Sequence, residues 1–305
     1  EKMIKKKILI FGGSGLLGSH CYNYFVKNYD VRWTFSNPIK KDKNSIRYVY
    51  DKNISKLENI IKDFKPDIVI NSLGLVSVDD CEKNHELAYN LNTKFVSNIV
   101  ELLQKYRMCN TYLIQISSGG VYGNRVNNKD MPWEETSDLN PLSIYAKSKV
   151  DGEYEALKFE GPSLIIRSDF YGLNKIRNNR TLLSWIIHDA KKNIQMKGWE
   201  NIFFSPISAY KLCKTVEDLF KGNNTGIFNI SSETGCNKFE FVENVCNILG
   251  LNPDLKKNTV KSVIRPRYSV LSCKKLKNTI NFECNWKTDL KSYLKYNYFE
   301  DLKIV

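Results

Sequence analysis

The stretch ILIFGGSGLLGSHCYNYF, residues 8–25, decides the fold. An apolar run leads into glycines at positions 12, 15 and 18, and a helical pattern follows. In this arrangement Gly12 allows a tight turn, Gly15 lets the backbone approach a pyrophosphate, and Gly18 lets the helix pack on the strand. Because the helix N-terminus also presents free N–H groups, a dinucleotide-binding loop is favoured over a plain tight turn. The predicted cofactor contacts here are Gly12, Ser14, Gly15, Leu16, Leu17 and Gly18.

Outward from this loop, apolar runs and helical patterns alternate along the first half of the chain. The apolar runs lie at residues 7–11, 31–35, 67–72, 111–117 and 163–167. Continuous apolar runs of this length are typical of strands buried on both faces. Strict alternation of strands and helices predicts βαβ units. We therefore expect an α/β fold, a Rossmann-type doubly wound parallel sheet with a smaller, interleaved C-terminal substrate domain.

The alternation ends after Tyr171, which sets the predicted domain boundaries. Residues 1–172 are expected to form the dinucleotide-binding domain. The buried-strand pattern TGIFNISS at 225–232 predicts a strand that returns to its sheet. Residues 173–224 and 233–305 are then expected to form the substrate-binding domain.

Composition and charge exclude several classes of function. The 305 residues include 42% hydrophobic and 26% charged residues, as in an ordinary globular protein. The net charge of +13 comes from scattered lysines, which favours a solvated basic surface over a nucleic-acid site. No apolar segment is long enough to span a membrane. Eight cysteines without a CxxC pair and only three histidines predict no metal site and a cytoplasmic protein with reduced thiols.

The end of the second strand bears on the choice of cofactor. A carboxylate at this point would bind the ribose hydroxyls of NAD and repel a 2′-phosphate. The segment VRWTFSNPIKK has no acid, and it offers four donors to a phosphate, namely Arg32, Ser36, Lys40 and Lys41. The pattern favours NADP(H). NAD(H) stays open because Asp42 lies close enough to the strand end to act as the carboxylate.

Three motifs in order carry a resemblance to a known family. They are GGSGLLG (12–18), ISSGGVYG (116–123) and YAKSK (145–149). Together they resemble the extended short-chain dehydrogenase/reductase family, and within it the dTDP-4-dehydrorhamnose reductase group. The resemblance implies that Ser118, Tyr145 and Lys149 are catalytic and that Tyr145 and Lys149 also contact the cofactor. Family members are often dimers, which leaves a homodimer open. Ser118 is preferred to Ser117 because the family's hydroxyl precedes the valine of VYG by three residues.

The Tyr145–Lys149 pair also has a chemical logic of its own. A free tyrosine has a pKa of about 10, which is too high for easy proton exchange near neutrality. Lys149 is four residues later on the same helix face, and a cation there would stabilise the phenolate and lower that pKa. A surface Tyr–Lys pair is the alternative. The phosphate loop and the serine upstream favour catalysis, with Tyr145 as proton donor and Ser118 as polariser of a substrate carbonyl.

The same resemblance implies roles for further positions. Asn92 is expected to tie backbone segments together, and Arg167 either borders the active site or forms a buried ion pair. Arg265 and Arg267 would suit a diphosphate, or would be surface charge. Tyr171 either lines the substrate cleft or packs in the core. The remaining expected cofactor contacts are Asp51, Ser72, Leu73 and Gly74, and the expected substrate contacts are Val76, Ser118, Gly119, Gly120, Phe170 and Arg265.

The sequence departs from the family pattern at Gly119 and Gly120. The family's 4,6-dehydratases have an Asp-Glu pair there and its rhamnose-type reductases an Asp-aromatic pair, so the glycines predict extra room and argue against a dehydratase. The resulting hypothesis is an NADPH-dependent reductase of a nucleotide-linked 4-keto-6-deoxysugar in surface-polysaccharide precursor synthesis. A sugar-nucleotide 4-epimerase with bound NAD and a non-catalytic NADP-binding regulatory subunit are the alternatives.

Overall fold

The computed structural model describes residues 5–37, 42–51, 53–124, 131–177, 181–261 and 264–299. The strands are β1 Lys7–Phe11, β2 Asp30–Phe35, β3 Ser45–Arg47, β4 Ile68–Asn71, β5 Tyr112–Ile116, β6 Ser163–Arg167, β7 Phe170–Tyr171, β8 Met196–Trp199, β9 Phe203–Phe204, β10 Ile207–Ser208, β11 Gly226–Asn229, β12 Cys236–Asn237, β13 Leu255–Asn258 and β14 Tyr268–Ser269.

The α-helices are α1 Leu16–Phe25, α2 Ser55–Phe64, α3 Val78–Lys83, α4 His85–Tyr89, α5 Phe95–Lys105, α6 Ile144–Leu157, α7 Leu182–Lys191, α8 Ala209–Lys221, α9 Lys238–Leu249, α10 Lys274–Thr279 and α11 Trp286–Leu294. A π-helical turn at Asn90–Lys94 joins α4 to α5, a 3₁₀ turn spans Gly119–Tyr122, and a second π-helical turn at Lys295–Phe299 follows α11.

A seven-stranded parallel sheet forms the centre of the molecule, in the order β11-β6-β5-β4-β1-β2-β3. Alternate residues of β1 enter two different cores. Ile8 and Ile10 pack with α1 and α8 on one face, while Leu9 and Phe11 pack with α2 and α5 on the other. Burial on both faces explains the uninterrupted apolar runs. The predicted fold class is confirmed.

The chain order of the strands places a crevice beside β1. The chain builds outward from β1 to β3 and then crosses back to β4 on the other side of β1. In a sheet of this type, ligands bind outside the carboxyl ends of the strands where the order reverses. The loops after β1 and β4 should therefore form the binding crevice.

A third core lies outside the main sheet and contains α7, α9 and α11. Its strands are short and pair in small sheets, β12-β9-β14 and β13-β8. Between these segments the chain returns to the main sheet, where β11 pairs with β6 along Gly226–Asn229. The division into two domains stays a prediction.

Two kinds of feature, membrane-spanning helices and metal-binding clusters, are missing from the described part of the chain. Within those ranges no helix combines the length and the apolar character needed to cross a bilayer. Nor do the same ranges contain a cluster of three or more His, Cys, Asp or Glu side chains placed to hold a metal ion.

Candidate active site

The glycine loop after β1 has the geometry of a phosphate cradle. Gly12 has a φ of +75°, and a Cβ there would lie 2.7 Å from the backbone nitrogen of Leu73. A Cβ at Gly18 would lie 2.2 Å from the Gly12 carbonyl oxygen, so glycine is required for the helix to pack this closely. Helix α1 starts with Gly15 as N-cap, without a side-chain cap or an acidic residue in its first turn. These features fit a bound pyrophosphate.

Two adjoining cavities lie at the carboxyl ends of the strands. The larger, of about 640 Å³, extends from the glycine loop past Tyr145 to Arg265. The smaller, of about 170 Å³, continues from the glycine loop to the end of β2. Both are lined by Gly15, Ser72, Leu73 and Gly74, so together they form one continuous crevice for an extended ligand.

The structure brings Ser118, Tyr145 and Lys149 together in the larger cavity. Tyr145 and Lys149 lie one turn apart on α6, whose N-terminus is capped by Ser143. Ser118 lies at the end of β5, where its hydroxyl accepts the Gly120 N–H at 3.1 Å and is hydrogen-bonded to Tyr145. The Lys149 ammonium donates to the carbonyl oxygen of Ile116.

The ionisation of this set differs from the sequence-based expectation. Burial raises the pKa of Tyr145 to about 12, with the Ser118 hydrogen bond opposing this shift. Burial also lowers the pKa of Lys149 to about 8, against the attraction of Glu153. Loss of hydration disfavours both charged forms, and Lys149 is directed at Ile116. The pKa of Tyr145 is thus raised where the sequence predicted a lowered one, because burial is the largest influence on it.

A buried ion pair holds the strands and α6 in register behind the site. Arg167, at the end of β6, contacts Glu153 of α6 at 2.6 Å, and both side chains are 3% exposed. Arg167 also donates to the Tyr122 hydroxyl at 2.9 Å, and Ser117 donates to Glu153. Arg167 is thus an ion-pair partner. Because Ser117 is occupied in this network, the geometry favours Ser118 as the hydroxyl available to a substrate.

The loop after β4 is held by Asn92. Its side-chain amide accepts the Leu75 N–H at 2.9 Å, and donates to the Leu75 carbonyl at 3.0 Å and to Ser148 of α6 at 2.9 Å. A Cβ at Gly74 would lie 2.6 Å from the Asn92 side-chain oxygen, so the loop fits closely around this amide. These bonds keep Ser72, Leu73 and Gly74 against the crevice.

Of two residues predicted to bind the cofactor near the end of β2, one lines the smaller cavity and the other does not. Ser36 lines the smaller cavity. Arg32 lies earlier in the strand, beside Leu9, and stacks over the Phe64 ring at 4.6 Å. The prediction that Arg32 binds the cofactor is wrong, because its side chain leaves the sheet toward α2. Lys40 and Lys41 lie outside the described residues.

Arg177 was not predicted from the sequence and lines the smaller cavity beside Ser36. It belongs to the loop after β7, which Asn174 fastens to the glycine loop by donating to the Ser14 carbonyl at 3.0 Å. The Arg177 Nε is buried without a hydrogen-bond partner. In the sequence, the segment LNKIRNNR (173–180) is polar and basic, and nothing in its spacing signals this role. Asp51, by contrast, lies in an exposed loop and lines neither cavity.

The remaining predicted substrate contacts are mostly in place. Val76, Gly120, Phe170 and Arg265 line the larger cavity, as does Tyr171. Arg265 reaches across its mouth to Asp79 of α3 at 2.8 Å. Arg267 is exposed and lines neither cavity. The cavity also contains Trp199, Ile202, Phe204 and Lys238, which the sequence did not indicate.

The expectation of extra room at Gly119 is wrong. A Cβ at Gly119 would lie 2.7 Å from a carboxylate oxygen of Asp169, which follows β6. The side chain of Asp169 therefore takes the space that a side chain at position 119 would fill. Gly120 does leave room, since its nearest neighbour would be the Ser118 hydroxyl at 3.4 Å. An acid directly after a buried strand was a signal that sequence reasoning could have used.

Comparison with known proteins agrees with this geometry. Residues 6–299 match the model of the family described as the RmlD substrate binding domain. The chain belongs to this family. The predicted resemblance to the extended short-chain dehydrogenase/reductases is thereby confirmed, and the chain is an NAD(P)-dependent oxidoreductase of that type.

The proteins that this chain resembles differ in what their names describe. The spore coat polysaccharide biosynthesis protein SpsK of Bacillus subtilis is 27% identical over 296 residues, 95% of this chain and 97% of that protein. Methionine adenosyltransferase 2 subunit beta of Bos taurus is 23% identical and covers 89% of this chain and 81% of its own. The structure of a dTDP-4-dehydrorhamnose reductase from Bacillus anthracis in complex with NADP has a TM-score of 0.81 at 20% identity, covering 96% of this chain and 100% of its own. This structural similarity shows that the two proteins share a fold.

Proposed function

We propose that this RmlD-family protein is an NADPH-dependent reductase of a nucleotide-diphospho-4-keto-6-deoxysugar. One observation carries the proposal: Ser118, Tyr145 and Lys149 lie in a cavity that shares its wall with the phosphate loop. A ketone bound at Ser118 would thus lie beside the nicotinamide end of a dinucleotide whose phosphates rest on Gly12–Gly18. The name of the SpsK relative supports a place in surface-polysaccharide precursor synthesis.

When bound, NADPH supplies a hydride to the ketone carbon. The residues of this chain do the rest. Ser118 and Tyr145 donate hydrogen bonds to the ketone oxygen and stabilise the negative charge that develops on it. Tyr145 then transfers its proton to that oxygen. A pKa raised to about 12 keeps the proton on Tyr145 until a strong alkoxide base forms. Lys149 would hold the nicotinamide ribose and compensate the phenolate that is left behind.

NADPH is the favoured cofactor because the described residues that line the smaller cavity include Ser36 and Arg177 and no acid. The cation and the hydroxyl would bind a 2′-phosphate, whereas NAD would lack that contact. The eight cysteines, all unpaired, agree with a reducing compartment, so a cytoplasmic enzyme stays part of the proposal. A homodimer stays a prediction.

The test is NADPH oxidation with a panel of dTDP-, UDP-, GDP- and CDP-linked 4-keto-6-deoxysugars. Tyr145→Phe removes the proton donor and should lower kcat by about 10²- to 10⁴-fold. Tyr154→Phe is the matched control, because Tyr154 lies on the same helix but is 56% exposed. Oxidation lost only in Tyr145→Phe would support the proposal. No oxidation with any sugar, by a protein that still binds NADPH, would refute it for these substrates.

A second function is favoured by the similarity to methionine adenosyltransferase 2 subunit beta. In that case the chain would bind NADP as the regulatory subunit of another enzyme. The complete Ser118–Tyr145–Lys149 set argues against this alternative, since binding alone does not require a proton donor. Copurification of a catalytic partner together with absent turnover would favour it. A 4-epimerase would instead retain NAD through purification, which the spectrum of the isolated protein would reveal.

A further inference from the structure

The substrate cavity contains a carboxylate and an amine that the proposed reduction does not use. Asp169 and Lys238 both line the larger cavity, together with Tyr145 and Ser118. They come from different parts of the chain, since Asp169 follows β6 and Lys238 is the first residue of α9. Charged groups inside a ligand cavity are costly to bury and are a signature of acid–base chemistry.

Asp169 is fixed beside the place where the ketone would bind. Its carboxylate accepts the Ser269 hydroxyl at 2.9 Å and the backbone N–H of Gly119. Gly119 adjoins Ser118, and Asp169 also acts electrostatically on the Tyr145 hydroxyl. Burial raises the pKa of Asp169, with Lys238 and Ser269 opposing this shift. A carboxylate in this setting is a stronger base than one in water.

Lys238 faces the same space from the opposite part of the fold. Its Nζ lies 3.2 Å from the centroid of the Phe204 ring, and the described residues give it no hydrogen bond or direct ion pair. Burial lowers the pKa of Lys238 to about 8, against the attraction of Asp169. Its position at the start of α9 adds the positive end of the helix dipole, which also disfavours the cation. Because both groups line the larger cavity, a substrate bound there can contact the amine and the carboxylate.

A ketone makes the C–H bonds on its neighbouring carbons acidic. Abstraction of such a proton gives an enolate, whose negative charge lies on the ketone oxygen. Ser118 and Tyr145 would stabilise that oxygen as they do during reduction, so the site already has an oxyanion-binding pair. What enolisation needs in addition is a base near the adjacent carbon, and Asp169 is the carboxylate placed next to that pair.

We propose that the enzyme also enolises its ketone substrate, with Asp169 as the base and Lys238 as the cation that faces it across the substrate. This inference rests on the proposed function. Asp169 takes the proton of a carbon adjacent to the carbonyl. The electron pair of the broken C–H bond forms the C=C bond, and the carbonyl π electrons move to the oxygen, which receives a proton from Tyr145. Return of both protons restores the ketone, and no oxidant or reductant is consumed.

The experiment is solvent exchange without NADPH. Wild-type protein and each sugar of the panel are incubated in D₂O, and deuterium on the carbons next to the ketone is followed by NMR. The rate is compared with a protein-free blank. NADPH is then added to the same samples to measure reduction. Asp169→Asn and Lys238→Met are examined in parallel, with NADPH binding as the check that each variant is folded.

We expect wild-type exchange well above the blank with the sugar that is reduced, and an exchange rate at least about 10²-fold lower in Asp169→Asn. Lys238→Met should also lower the rate. Reduction without exchange overturns the inference and leaves the proposed function intact. Exchange at the wild-type rate in Asp169→Asn overturns it as well. If no sugar shows exchange and none is reduced, both the inference and the proposed function are overturned.

Discussion

Arg177 is the residue at which the proposed cofactor choice can be tested most directly. Its guanidinium lies at the end of β2 beside Ser36, with Nε buried and unpaired. Charge-assisted hydrogen bonds to a phosphate are among the stronger polar contacts in proteins. We predict that Arg177→Ala raises the KM for NADPH about 10-fold or more, equivalent to about 1.4 kcal/mol, and leaves the KM for NADH nearly unchanged.

Arg32→Ala is the matched control for this measurement. The sequence alone gave Arg32 the same role, but the structure stacks it on Phe64. Steady-state kinetics with both cofactors should therefore show no change in the NADPH to NADH preference. A loss of preference in Arg32→Ala, with none in Arg177→Ala, would reverse the assignment.

For single residues, the sequence indicates the site residues that belong to a motif. It does not indicate those that reach the site only through the tertiary fold. The loop glycines and Ser118 were recognised from their spacing within a strand and the turn that follows it. Tyr145 and Lys149 were recognised from their spacing within one helix. Asp169 and Lys238 line the same cavity although they are far apart in the chain, so no sequence spacing marks them as neighbours. The pKa of Tyr145 escaped prediction for a related reason, since burial depends on the entire surrounding structure.

Among the elements, α6 is joined to β6 by a buried ion pair. Arg167 and Glu153 are both almost fully enclosed, and each satisfies the charge of the other. Removing one partner leaves an uncompensated buried charge, which typically costs about 3–5 kcal/mol. We predict that Arg167→Met lowers the free energy of unfolding by about this amount, as measured by urea denaturation.

The same helix offers a control pair for this prediction. Lys158, next to the end of α6, contacts Glu155 at 2.6 Å, but its side chain is 65% exposed. Exposed helix pairs at i,i+3 or i,i+4 contribute about 0.2–0.5 kcal/mol. Lys158→Met should therefore change stability by less than about 0.5 kcal/mol. Equal losses in the two variants would mean that Arg167 acts through its packing and that its charge is unimportant.

The elements that the sequence revealed are those buried on both faces. β1, β4, β5 and β6 read as mostly apolar runs because residues of each strand pack into both of the cores that flank the sheet. The strands β7, β9, β10, β12 and β14 have two residues each, which is too short for any periodicity to appear. Their pairing is set by distant partners, such as Cys236 with Phe204.

Over the whole molecule, the phosphate loop is joined to the C-terminal part through a buried histidine. His20, on α1, has its Nε2 2.9 Å from the carbonyl oxygen of Leu173 and 3.1 Å from the hydroxyl of Tyr293 on α11. The Tyr293 oxygen also accepts the Leu173 N–H at 2.8 Å. Three segments that are far apart in sequence thus meet at one imidazole, directly behind the helix that would bind the phosphates.

This histidine should make stability depend on pH. Burial lowers its pKa to about 4, from 6.5 for an exposed histidine, with the Leu173 carbonyl opposing and Lys175 adding to the shift. Above pH 6.5 both the folded and the unfolded chain hold a neutral imidazole. Between pH 6.5 and 4 only the unfolded chain binds the proton, so stability falls as the pH decreases. The shift corresponds to a loss of about 3 kcal/mol across this window.

We predict that His20→Gln removes this component of the acid destabilisation. The variant should be less stable than the wild type at pH 8, because the contacts to Leu173 and Tyr293 are weakened. Its free energy of unfolding should then decline less steeply, so that the two proteins converge by about 3 kcal/mol between pH 6.5 and 4. Urea titrations of both proteins at several pH values measure the difference directly, and carboxylates common to both cancel. Parallel pH profiles would mean that His20 becomes protonated within the folded protein, and that the junction behind the phosphate loop tolerates a positive charge.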